Sequence, residues 1–155
     1  MTSQLKRVFF DTNIYILGAT DEPCAEMLIL DWAGFGQTEA PDVEVVISEV
    51  LVQQILRVAR RLRGKDWGGE LLDRIWRQLR VRYVMPDAQQ IATLLATRDI
   101  PREDIEIYLT AQAGHVECFV SANRELVRAI VQKTGDFECL TPEEFVRKYL
   151  GSRSK

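Results

Sequence analysis

The sequence predicts an α/β fold, a three-layer αβα sandwich around a twisted, mainly parallel sheet of roughly four to five strands. Three observations predict it. Short β-branched or aromatic runs alternate with segments of helical period along the 155 residues. Apolar residues make up 46% and charged residues 28%, an ordinary balance for a chain with a sizeable core. Several of the apolar runs also end abruptly in polar residues, as strands do where an open sheet meets its ligand edge.

Val8 to Phe10 reads as a buried strand, closed by Asp11-Thr12-Asn13. Between Pro23 and Phe35, Ala25, Leu28, Ile29 and Trp32 recur at helical spacing, and Gly34 and Gly36 end the segment. Val43 to Ile47 is a second strand, with Ser48 as N-cap of the helix that follows. Leu51, Ile55, Val58 and Leu62 form one stripe; Leu71, Leu72, Ile75, Trp76 and Leu79 form another beyond Gly64 and Gly68-Gly69. Residues 49–80 are therefore expected to form a helical hairpin. Val81 to Met85 is a third strand, Pro86-Asp87 a turn and cap, and Ala88 to Thr97 a helix. The helix from Pro101 to Ala113 stops at Gly114, and Cys118 to Ser121 is the fourth strand. A helix over 124–133, a short strand Phe137 to Leu140, and a terminal helix opened by Thr141-Pro142-Glu143-Glu144 complete the series. Residues 1–150 read as one domain and 151–155 as a frayed tail.

The longest apolar stretches are short and interrupted, and Met1 to Lys6 lacks the apolar core of a signal peptide. A cytoplasmic, non-membrane protein is the expectation. Cys24, Cys118 and Cys139 are widely spaced, which suits reduced thiols, and the single His115 disfavours zinc sites and His-dependent triads. Net charge is only -3, yet Arg57, Arg60, Arg61, Arg63, Lys65, Arg74, Arg77, Arg80 and Arg82 face just Asp66, Glu70 and Asp73 in the same stretch. That basic stretch reads either as a solvated helix face or as a surface that follows phosphates, with Arg57, Arg60, Arg61, Arg74 and Arg77 as the candidate RNA contacts. Trp67 and Trp76 read as packing or interface residues rather than base-stacking platforms.

In a parallel sheet the polar strand ends share one edge, so Asp11-Thr12-Asn13, Ser48 and Ser121-Ala122-Asn123 converge there. Asp104 approaches from a helix, since Ile107, Tyr108 and Ala111 follow it at +3, +4 and +7 and place it on the buried face. Glu103 and Glu106 project away from that stripe. Two carboxylates brought together raise each other's pKa unless a cation lies between them. Mg²⁺ or Mn²⁺ suits such a centre, because hard divalent ions take oxygen ligands and keep several waters.

The whole set resembles the PIN-domain ribonucleases, a family that includes toxins of toxin-antitoxin modules. The resemblance runs from Val8 to Phe145. It rests on Asp11-Thr12-Asn13, the helix entry Ser48 to Leu56, Asp104 with Ala111 seven residues on, Cys118-Phe119-Val120-Ser121-Ala122-Asn123-Arg124-Glu125-Leu126, and Leu140-Thr141-Pro142-Glu143-Glu144-Phe145. It implies a PIN-like fold and RNA cleavage by metal-activated water, with Asp11 and Asp104 as metal ligands. It further implies RNA as substrate, an antitoxin protein as partner, and a homodimer.

Two positions depart from the family's acids. Gln54 stands before Ile55 where a carboxylate is usual, and Asn123 follows the fourth strand where the family commonly has an acid. On a helical wheel with Leu51 at zero, Gln54 lies about 60° to one side and Glu49 about 160° away, so Glu49 could substitute only through a non-helical first turn. Thr12, Asn13 and Ser121 take supporting roles. A metal-dependent endoribonuclease is thus set against a catalytically weakened or inactive PIN-like module that binds RNA or protein. A phosphotransfer domain using Asp11 as nucleophile ranks below both, because Asn13 stands where a second Asp would be needed.

Overall fold

A computed structural model describes residues 5–37, 41–97, 101–123 and 137–151. The expected helix over 124–133 and residues 152–155 lie outside them. Five strands, β1 (Arg7–Phe10), β2 (Glu44–Ile47), β3 (Arg80–Tyr83), β4 (Cys118–Val120) and β5 (Glu138–Leu140), form one sheet in the order β3-β2-β1-β4-β5. Every pairing is parallel. β1 lies at the centre because Val8, Phe9 and Phe10 are apolar on both faces and bury completely. Successive side chains point to opposite faces, and the aromatic contacts follow that alternation. Phe9 stacks on Phe119 at 4.9 Å, and Phe119 on Phe137 at 5.9 Å. Phe10 instead meets Phe145 edge-on at 6.4 Å, and Trp32 covers Phe145 at 5.2 Å.

Helices fill the layers on either side. They are α1 (Thr12–Gly18), α2 (Ala25–Ala33), α3 (Glu49–Arg63), α4 (Trp67–Gln78), α5 (Ala88–Thr97), α6 (Arg102–Ala113) and α7 (Pro142–Phe145), the last running into a π-helical turn over Val146–Leu150. α6 covers the Phe9 face, with Tyr108 6.0 Å from Phe137; α2 and α7 cover the Phe10 face. The α/β sandwich and the helical hairpin of α3 and α4 are therefore as expected. Thr141 and Glu144 close a capping box, Thr141 Oγ1 accepting from Glu144 N at 3.2 Å and Glu144 Oε1 from Thr141 N at 2.9 Å.

Four local expectations are corrected. The sequence reading passes from Asn13 to Pro23 without an element, but Thr12–Gly18 forms α1, a helix too short to show its period in sequence. α2 buries Glu26, Ile29, Leu30 and Ala33, leaving Leu28 45% exposed. Its sequence is apolar nearly all round, so packing chooses the face: at Gly18 a Cβ would lie 2.7 Å from Glu26 O and 2.7 Å from Leu30 Cδ1. In α3 Ala59 is buried where Leu62 was expected, and Leu62 is 62% exposed because the helix end projects past the core. β3 begins at Arg80 and stops at Tyr83, so Met85 stands 82% exposed.

Candidate active site

The C-terminal ends of β1 and β4 bring together a chain of hydrogen bonds that begins at Asp11. Asp11 caps α1: its Oδ1 accepts from Thr12 N at 2.8 Å, and its Oδ2 accepts from Ser121 Oγ at 2.7 Å. Ser121 is fully buried and its oxygen also accepts from Asn123 N at 3.0 Å, which fixes the hydroxyl's proton toward Asp11. On the other side, Thr12 Oγ1 donates to Gln54 Oε1 at 2.7 Å, and Gln54 Nε2 donates to Glu103 Oε2 at 3.3 Å. Arg57 Nη2 completes the chain on Glu103, 2.9 Å from Oε1 and 3.1 Å from Oε2. Elements far apart in sequence, α1, β4, α3 and α6, are tied by these contacts.

Asp104 sits partly buried on the first turn of α6, with no hydrogen-bond donor among the described residues. Burial pushes its carboxyl above the usual range, and the neighbouring charges of Asp11 and Glu103 push it further the same way. The carboxylates carry mutual repulsion that a cation would relieve, and Asp11 and Asp104 are the residues that could hold one. Among the described residues no three His, Cys, Asp or Glu side chains are gathered tightly enough to enclose a metal. The carboxylate oxygens of Asp11 and Asp104 are donors of the type that hard divalent ions take. Burial pushes the Cys139 thiol up to about 12 and Cys118 higher still, so both are protonated near neutral pH.

Other expectations change. Glu103 joins the site although the helical wheel directs its Cβ away, because a long side chain reaches Gln54 and Arg57 across the α3–α6 contact. Glu49 points elsewhere: it accepts from Gln53 Nε2 at 2.7 Å and Tyr83 Oη at 3.1 Å, bonds that lower its pKa. Ser48 occupies the N-cap position of α3 without a side-chain cap bond. It is buried against Thr110 at 2.7 Å, and since Thr110 Oγ1 donates to Glu106 O, Ser48 is the donor. Asn13 and Asn123 are both exposed.

The candidate RNA-contacting arginines divide. Arg57 pairs with Glu103, Arg77 pairs with Asp73 at 2.8 Å, and Arg74 lies 4.1 Å from the Phe35 ring centroid. Arg60 and Arg61 are exposed and unpaired among the described residues.

No family model matches the sequence, and no curated protein matches it. Solved structures do. VapBC-1 from nontypeable Haemophilus influenzae aligns with a TM-score of 0.57 at 17% identity, over 88% of this chain and 98% of that one. VapC20 from Mycobacterium tuberculosis, a sarcin-ricin loop cleaving toxin, aligns with a TM-score of 0.57 at 15% identity, over 79% and 95%. The fold is PIN-like. VapBC2 from Rickettsia felis, solved bound to a DNA fragment from its promoter, shares this PIN-like fold with a TM-score of 0.55 at 14% identity, over 87% and 98%. On the PIN-like frame, Asp11 lies at the end of the central strand, and no helix among the described residues is long and apolar enough to cross a membrane.

Proposed function

We propose that this chain is a metal-dependent endoribonuclease, the toxin of a toxin-antitoxin pair, acting in the cytoplasm. The observation that carries the reading is Asp11 at the end of the central strand, tied through Ser121 to β4 and through Thr12 and Gln54 to Glu103, the neighbour of Asp104 on α6. Bound Mg²⁺ or Mn²⁺ would supply a more acidic water and charge neutralisation at a phosphodiester. Asp11 and Asp104 would hold the ion. Ser121 and Thr12 N keep the Asp11 carboxylate in one orientation, leaving lone pairs on both oxygens for further ligands. Gln54 is locked between Thr12 and Glu103, and its neutral amide keeps the centre at lower charge than a carboxylate would. An antitoxin protein and a second copy of the chain are the proposed protein partners.

The second reading is a weakened or inactive module that binds RNA or protein, and the amides at Gln54 and Asn123 favour it. One experiment separates the two. Wild type should cleave members of an RNA panel only with Mg²⁺ or Mn²⁺, and Asp11→Ala should lose at least about 100-fold of that rate. No cleavage by wild type establishes the second reading; cleavage that survives in Asp11→Ala removes the mechanism.

A further inference from the structure

The hydrogen-bond chain that starts beside Asp11 ends on a carboxylate. Gln54 Oε1 accepts from Thr12 Oγ1 at 2.7 Å while its Nε2 donates to Glu103 Oε2 at 3.3 Å, so one amide spans the gap between α1 and the first turn of α6. A flipped amide would turn its oxygen on the Glu103 carboxylate, so the charge at 103 decides which way Gln54 points. Glu103 also directly precedes Asp104 in the chain. Its charge is therefore linked to both acids, to Asp104 through the backbone and to the residue after Asp11 through Gln54.

Arg57 opposes that charge from α3. Its Nη2 lies 2.9 Å from Glu103 Oε1 and 3.1 Å from Oε2, and the two side chains are 58% and 48% exposed. An exposed pair of this kind adds little to stability. What it does is electrostatic, because it fixes a negative charge beside Asp104 and sets a cation against it. Glu106, the next glutamate of α6, has its own cation in Arg102 at 3.4 Å. It stands two residues beyond Asp104, roughly 200° around the helix. Of the two glutamates, only Glu103 is tied toward Asp11.

Resting on the metal-dependent reading of Asp11 and Asp104, we propose that Glu103 strengthens cation binding there from outside the ligand set, and that Arg57 limits the charge it contributes. An outer carboxylate held in place by hydrogen bonds raises the affinity of the inner groups without touching the ion.

The test is Mn²⁺ binding to the full chain without RNA at low salt, read from the electron paramagnetic resonance signal of the free ion. Asp11→Ala should abolish binding. Glu103→Gln should weaken it about 10-fold, although an amide at 103 still offers Gln54 an acceptor. Arg57→Gln should tighten it by about 3-fold, a sign that a purely structural pair would not give, since loosening the α3–α6 contact would weaken binding. Glu106→Gln removes the same formal charge from the far side of α6 and should stay within about 2-fold of wild type. Glu103→Gln combined with Gln54→Glu moves the charge one hydrogen bond along the chain and should bring affinity back to within about 3-fold of wild type. Circular dichroism checks folding, and Arg57→Gln with the double variant carries the test if Glu103→Gln is unfolded. Wild-type affinity in folded Glu103→Gln, an equal loss in Glu106→Gln, or weaker binding in Arg57→Gln overturns the role of Glu103, while Asp11-dependent binding keeps the metal reading. Binding that is absent from wild type, or that survives Asp11→Ala, rejects the metal reading and the role of Glu103 with it.

Discussion

Asp104 is the residue whose environment is least comfortable without a ligand. Its folded pKa is raised by burial and by Asp11 and Glu103, so the folded state holds that proton more tightly than the unfolded chain does. The sign follows: stability falls as pH rises from the unfolded carboxylate value through the raised folded one, and the penalty persists above it. Asp104→Asn in EDTA at pH 7 should therefore melt slightly higher, by up to about 3 °C for less than about 1 kcal/mol, since partial exposure screens the repulsion. With Mn²⁺ the order should invert, because the variant lacks the carboxylate the ion would stabilise. A melting temperature in EDTA lower than wild type would show that Asp104 is held by donors instead. The placement of Asp11 at a strand end and of Asp104 on the partly buried side of α6 was legible in sequence because each breaks an apolar pattern at a fixed place. Glu103 was not, because a helical wheel reports where Cβ points and not how far a glutamate reaches.

Elements meet at the site only as closely as their smallest residues allow. Gly114 ends α6 beside β2, and a Cβ there would lie 2.5 Å from Val46 Cγ1. Its φ of −82° is open to any residue, so Gly→Ala would ordinarily stabilise by reducing unfolded-chain entropy. Overpacking against the sheet outweighs that gain, and Gly114→Ala should destabilise by about 1–3 kcal/mol, lowering the melting temperature by several degrees. An unchanged melt would mean that β2 yields without cost. The sequence announced Gly114 as a helix stop but not as a point of contact, which depends on a strand almost 70 residues earlier. α1 escaped notice for a related reason, since one turn and a half of apolar residues carries no readable period.

At the scale of the whole molecule, a chain of small net negative charge places Arg60 and Arg61, unpaired among the described residues, near one end of the helical hairpin. Arg60→Gln with Arg61→Gln should weaken single-stranded RNA binding at low salt and flatten the log–log salt dependence by about 1.4, the value for two lost phosphate contacts. An unaltered slope would take that end of the hairpin off the RNA path. The alternation of strands and helices made the sandwich readable, and Asp73 and Arg77 stand at i,i+4 spacing, while the pairing of Arg57 with Glu103 was invisible until α3 and α6 were in place. The Asp11–Ser121 bond has a consequence in time as well as space. It joins residues 110 positions apart, a stretch that takes the ribosome roughly 5–20 s to synthesise. Until β4 has emerged, β1 lacks one of its two neighbours and the Asp11 carboxylate lacks its serine, so a nascent chain cannot assemble this centre early.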